Sequence, residues 1–217
     1  MKFVMSGDFD VRQSMYPSYA SLLVSEQKRF GFPYSTLYCY ADGNVTLKVT
    51  DSEPICLVKG NYLSLPLQEN NIEIETDGKA FCVWRLGFQG QYVLGKLEEK
   101  GRLSYIDGCS DSLLVYPPRL GDPSLNSLHF PDYIDQSFHR HPTIRLGYVV
   151  SGSGCAWISR SDVVDLNAGT MFLLDEQALH RFTTDHEPMI IVTYHPDGDW
   201  GPTDHNHTML NRTYVSK

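Results

Sequence analysis

Short apolar stretches alternate with turn residues along the whole chain. "STLYCYADGNVTLKV", "ICLVKGNYLSLPLQ" and "AFCVWRLGFQG" are rich in Val, Ile, Leu, Tyr and Phe and are punctuated by Gly, Asn, Asp and Pro. Strands spaced by turns about every 8–12 residues predict an all-β sandwich or small barrel. One helix is predicted, over "SMYPSYASLLVSEQKRF" near the start, where Pro17 interrupts the pattern.

The pattern then repeats. "RFGFPYSTLYCYADG" (29–43) aligns without a gap on "FHRHPTIRLGYVVSG" (138–152), an offset of 109 residues that places Phe30 on His139, Phe32 on His141, Leu37 on Leu146 and Gly43 on Gly152. The same offset lays "LVKGNYLSL" on "LNAGTMFLL", with Gly60 on Gly169, and "AFCVWRL" on "MIIVTYH". One register across three separated segments predicts two tandem units, 1–100 and 101–217, linked through 98–112.

At 217 residues the chain is long enough for two such cores. A net charge of −8, with no basic block beyond "EKGR", lacks the electrostatic footprint of nucleic-acid binding. No apolar run approaches the roughly 18 residues of a membrane-spanning helix, and "MKFVMSGDFDVRQS" has too short an apolar run for a secretory leader. Five cysteines without a CxxC pair read as reduced, mostly buried thiols of a cytoplasmic protein.

Candidate chemistry centres on "FHRHP". His139 and His141 lie two apart, so on a strand they share a face, and Arg145 has the same parity. Alone, the pair is either the wall of a metal site or two polar residues near a loop.

"HRHPTIRLGYVVSGSG" (139–154) and "AGTMFLLDEQALHRF" (168–182) resemble the two motifs of the cupin family, an HxH that leads through a Glu to a Gly-closed hairpin, and a later Gly-rich run ending in His. The whole chain is similar to a two-copy cupin, or bicupin. The resemblance implies two tandem cupin-type jelly-roll β-barrels, and His139, His141 and His180 match three of the family's four metal ligands. Arg145 stands where the fourth, a Glu, is usual, and a guanidinium cannot ligate a metal.

Two readings of Arg145 stay open. It clamps a substrate carboxylate beside a three-His metal, as the Glu-less thiol dioxygenases suggest, or the metal site has decayed into an anion pocket. The first reading implies a divalent transition metal, Fe(II) favoured and Zn, Ni, Mn or Cu also suited to imidazole. It also implies dioxygenase-like, isomerase or lyase chemistry on a small anionic metabolite. In the first unit the matching positions are Phe30, Phe32 and Asn71, so that unit reads as degenerate and structural. The alternative function is a metal-free sensor, because "LHRFTT" around His180 also resembles the sugar-sensing domain of arabinose-type regulators. A homodimer is expected, since strand edges need covering.

Tyr194 is assigned to the cup as an acid or hydrogen-bond donor. His195 is read as a turn histidine, with a pocket-rim group as the alternative, His129 as an ordinary strand residue or part of the pocket, and Tyr148 as an outward or subunit contact. Cys155 and Trp157 share a face and are expected in the core. The tail "DWGPTDHNHTMLNRTY" offers Asp204, His205 and His207, as a closing loop or a second metal site, before a final strand at "LNRTYV". Asn211-Arg212-Thr213 fits a glycosylation pattern to which no meaning is attached. No G-x-S-x-G elbow points to a serine hydrolase.

Overall fold

The computed structural model describes residues 1–68, 71–198, 201–203, 205–206, 213–214 and 216. Its first half carries β1 (Lys2–Val4), β2 (Gly7–Val11), β3 (Ser18–Val24), β4 (Gln27–Phe30), β5 (Ser35–Asp42), β6 (Val45–Val49), β7 (Ile55–Leu57), β8 (Asn61–Leu67), β9 (Ile72–Thr76), β10 (Lys79–Leu86) and β11 (Val93–Lys96). The second carries β12 (Leu103–Ser104), β13 (Ser110–Val115), β14 (Ser124–Phe130), β15 (Arg145–Ser151), β16 (Ser153–Trp157), β17 (Val163–Asn167), β18 (Met171–Leu174), β19 (Arg181–Thr183) and β20 (Met189–His195). Among the described residues the helical element is the short 3-10 turn Ile106–Gly108, inside the segment expected to be a linker.

The strands form four antiparallel sheets. A six-stranded sheet runs β11-β8-β5-β10-β3-β2 and a four-stranded one β4-β9-β6-β7. Their counterparts are a seven-stranded sheet, β1-β18-β15-β20-β14-β13-β12, and a three-stranded one, β17-β16-β19. The order β8-β5-β10-β3-β2 reappears as β18-β15-β20-β14-β13, which is the sequence repeat expressed as topology. At one edge the first half contributes to the second: the place beside β18 is taken by β1 from the chain start, with Phe3 opposite Phe172. The repeated Gly60 and Gly169 have φ of +89° and +90°, a left-handed turn that glycine adopts without strain.

All-β is observed; closed barrels are not. Each half is an open two-sheet sandwich among the described residues, because hairpins such as β5-β6 and β15-β16 carry the chain from the large sheet to the small one, ending the ladder of both. The expected helix is instead β3 and β4. β3 is buried along almost its whole length, so its apolar positions run on without the alternation of a half-exposed strand.

Three cores explain that pattern. Leu37, Cys39 and Ala41 of β5 face the small sheet, while Tyr38 and Tyr40 face the other half. There they meet Leu146, Tyr148, Val192 and Tyr194, so the two large sheets share one apolar layer. The third core lies between the seven-stranded and three-stranded sheets and includes Phe172, Leu174 and Phe182. Tyr148 is therefore not outward: its ring stacks on Phe81 at 5.8 Å and its hydroxyl donates to Asp42 Oδ2 at 2.6 Å. Trp157 and Cys155 are not core residues either. They alternate with buried Ala156 and sit half-buried, with the Arg181 guanidinium 4.7 Å from the Trp157 ring.

Candidate metal centre

His139 and His141 lie on the segment that enters β15, and His180 immediately precedes β19. A bridge joins them: His139 N–H donates to His180 O at 2.9 Å, and His180 N–H donates back at 3.0 Å. Buried Gln136 strengthens the same seam, its Oε1 accepting from Phe182 N–H at 3.2 Å. The Gln177 N–H reaches His141 O at 2.9 Å, which ties in the third imidazole.

The ring centroids are 4.4, 5.0 and 5.2 Å apart, and one donor atom from each ring lies within 4.8 Å of the others. Nδ1 of His139 donates to Ser137 O at 2.9 Å, and Nδ1 of His180 donates to Ala178 O at 2.8 Å. A carbonyl only accepts, so these bonds fix the tautomer and leave the Nε2 lone pairs for another partner. His180 is 1 % exposed, and its Nε2 has no hydrogen-bond partner. Burial, then the Arg145 charge, takes His141 down to about 3. Burial alone dominates at His180, which falls to about 4. Both rings are neutral at pH 7, the form that ligates a metal. Three imidazoles that bring one ring nitrogen each within 4.8 Å of the others, one of them buried and unsatisfied, fit a divalent transition metal.

The trio forms one wall of a cavity of about 130 Å³. Phe172, Leu174 and Phe182 make an apolar floor. The opposite wall is the seven-stranded sheet, which contributes Asp111, Asn126, Thr193, His195 and Arg145. Thr193 pairs with Asn126 on β14, and β15 offers Gly147 on its other side. A Cβ at Gly147 would overlap the Phe172 ring, so glycine makes room for the floor.

Arg145 is 5 % exposed and held by its own chain. Its Nη1 donates to Thr143 Oγ1 at 2.6 Å and to Ile144 O at 2.9 Å, and lies 3.7 Å from Asp197 Oδ1. The Thr143 hydroxyl passes its own hydrogen to Asp197. A nearby carboxylate thus offsets part of the charge that a bound cation would meet.

Two assignments change places. Tyr194 alternates with Thr193 and His195, so it points away from the cup, into the shared layer, 3.3 Å from Ser18 Oγ and with its ring 5.2 Å from Tyr38. His195, expected in a turn, lines the cup, where burial and Arg145 hold its pKa well below the ordinary value. His129 shares the parity of Leu125 and lies outside the cup, its Nε2 3.1 Å from Ser127 Oγ. Asp111, Asn126 and Gln136 were not foreseen; the alternation of "SLNSLHF" around Asn126, Leu128 and Phe130 is the signal that could have found one of them. Exposed His205 is described, but Asp204, His207, Asn211 and Arg212 lie outside the described residues.

In the first half the positions that align with His139 and His141 belong to an aromatic cluster. Phe30 packs 4.3 Å from Trp84, Phe32 5.4 Å from Trp84, and Tyr19 4.9 Å from Phe32. Trp84 takes the position of Thr193 and is fully buried.

Residues 127–201 match the family model of the AraC-like ligand binding domain. No curated protein matches the chain. Among solved structures, a cupin 2 conserved barrel domain protein from Leptotrichia buccalis is 17 % identical with a TM-score of 0.61, covering 89 % of this chain and 88 % of its own. The oxalate decarboxylase of Bacillus subtilis, with Mn(II) centres, is 11 % identical with a TM-score of 0.54, covering 89 % and 73 %. A salicylate 1,2-dioxygenase from Pseudoaminobacter salicylatoxidans in complex with gentisate is 10 % identical with a TM-score of 0.60, covering 82 % and 68 %. The chain has the cupin fold.

Proposed function

We propose that this chain is a metal-dependent bicupin enzyme with one working cup. His139, His141 and His180 hold a divalent transition metal, Fe(II) favoured, and the cup takes a small anionic metabolite. The observation that carries this reading is the convergence of three imidazoles, with the tautomers of His139 and His180 set by backbone carbonyls and the buried Nε2 of His180 left without a partner. Support comes also from the filled first cup, in which Phe30, Phe32 and Trp84 stand where the second half has His139, His141 and Thr193. Two relatives by fold act on small carboxylates or hold one, and one carries Mn(II).

When bound, such an ion supplies Lewis-acid polarisation of a ligand oxygen or activation of O₂. The chain's own residues do the remainder. Phe172, Leu174 and Phe182 keep the floor dry, which strengthens electrostatic contacts inside. Arg145 biases the cup toward anions, and its anchoring by Thr143 and Asp197 fixes where that charge sits. Oxygenation is the leading reaction class, with isomerase or lyase chemistry behind it.

The match to the AraC-like ligand binding domain favours a second reading, a metal-free ligand sensor. Oxygen uptake by the Fe(II)-loaded chain with a panel of small carboxylates and thiols separates the two. Uptake that disappears in His180→Gln is the expected result. Anion binding that is equally tight without metal, and no turnover of any panel member, would favour the sensor.

A further inference from the structure

We propose that the wall facing the three histidines is a hydrogen-bonding subsite, and that the ligand of this cup is a small carboxylate that also bears an O–H or N–H donor. This rests on the reading of the cup as a site for a small anion.

Asn126 is 8 % exposed, and its side chain is oriented by one contact: Nδ2 donates to Asp111 Oδ2 at 2.9 Å. With Nδ2 committed to the carboxylate, the amide cannot flip, and Oδ1 is the atom left over. That oxygen is buried without a hydrogen-bond partner. Thr193, its cross-strand neighbour, is 3 % exposed, and its Oγ1 is likewise unpartnered. Two adjacent unsatisfied polar atoms on one buried wall are costly, because each lost its hydration on folding. Both residues line the cavity, so a ligand can satisfy them.

The chemistry of the partner follows. An amide oxygen accepts only, so the ligand group beside Asn126 must donate; a hydroxyl or an N–H qualifies, whereas a methyl, a thioether or a bare carboxylate does not. The Thr193 hydroxyl can then accept from the same group or donate to it. Arg145 lines the same cavity, paired with Leu174 across β15 and β18, and supplies the positive end. A cavity of about 130 Å³ suits a small ligand. Asn126 and Thr193 are thus specificity-determining residues, and Asp111 is a positioning residue that holds the amide.

The test uses matched acids: glycolate against acetate, lactate against propionate, and malate against succinate. Binding is measured calorimetrically on Zn(II)-loaded and metal-free protein, with metal content determined in every sample. At least one hydroxy acid should bind about ten-fold or more tightly than its deoxy partner. Asn126→Leu and Thr193→Val preserve shape and should bring that ratio toward one while leaving metal content unchanged. Failure of either variant to fold leaves the other to decide. The proposal is overturned if no hydroxy acid outbinds its partner in the wild type, or if the preference survives both variants, as simple chelation by the hydroxyl would give. Preference without metal binding would sink the metal reading and leave the subsite standing.

Discussion

Gly147 and Tyr148 are neighbours on β15 with opposite duties. Gly147 faces the cup, where the Phe172 ring occupies the space of its missing side chain. Gly147→Ala forces that ring off its site in a packed core, and should cost about 1–3 kcal/mol of stability in urea unfolding. Tyr148 faces the layer between the halves and donates to Asp42 Oδ2 at 2.6 Å, beside the Lys59 ammonium at 2.7 Å from Oδ1. Tyr148→Phe leaves that carboxylate one donor short and should lower stability by about 1.5–3 kcal/mol, with metal content unchanged. An unaltered urea midpoint in either variant would contradict the packing described. Parity along a strand was legible at this scale. Which of two faces is the cup was not, and for that reason the sequence favours Tyr194 over His195 for the cup.

The repeated element shows what was readable and what was not. The offset of 109 residues, the glycines at 60 and 169 and the contrast of Phe30 and Phe32 with His139 and His141 were all present in the sequence. So were the three histidines, since the motifs that hold them are local. The wall contributed by β13 and β14 was not, because that hairpin reaches the cup only through the pairing of β14 with the distant β20. The helix expected over residues 14–30 failed for a related reason: a strand sandwiched between two layers is apolar on both faces and shows no period of two. Trp84 leads to a prediction for the first cup. Phe30→His/Phe32→His/Asn71→His restores all three histidines there, but the indole still fills the place of Thr193. Metal stoichiometry should stay at the wild-type value, while loss of buried Phe30 removes about 1.5–3 kcal/mol of burial and loss of half-buried Phe32 less. A second equivalent of metal would show that Trp84 does not close the first cup.

For the whole molecule, the buried histidines set how stability depends on pH. Burial lowers the pKa of His129, His141, His180 and His195, to about 3 for His141 and about 4 for His180. An unfolded chain takes up those protons near pH 6.5. Between these limits the unfolded state binds more protons than the folded one, so the stability of the metal-free protein falls as pH drops below about 6.5. Urea midpoints at pH 7 and pH 5 should show that decline, and His129→Gln, outside the cup, should reduce it without touching the metal site. The central claim is tested most directly by elemental analysis of untagged protein purified without chelator, beside a His139→Ala/His141→Ala variant. The account predicts about one divalent transition metal per chain in the wild type and none in the variant. No metal in either, even after anaerobic Fe(II) loading, would contradict it.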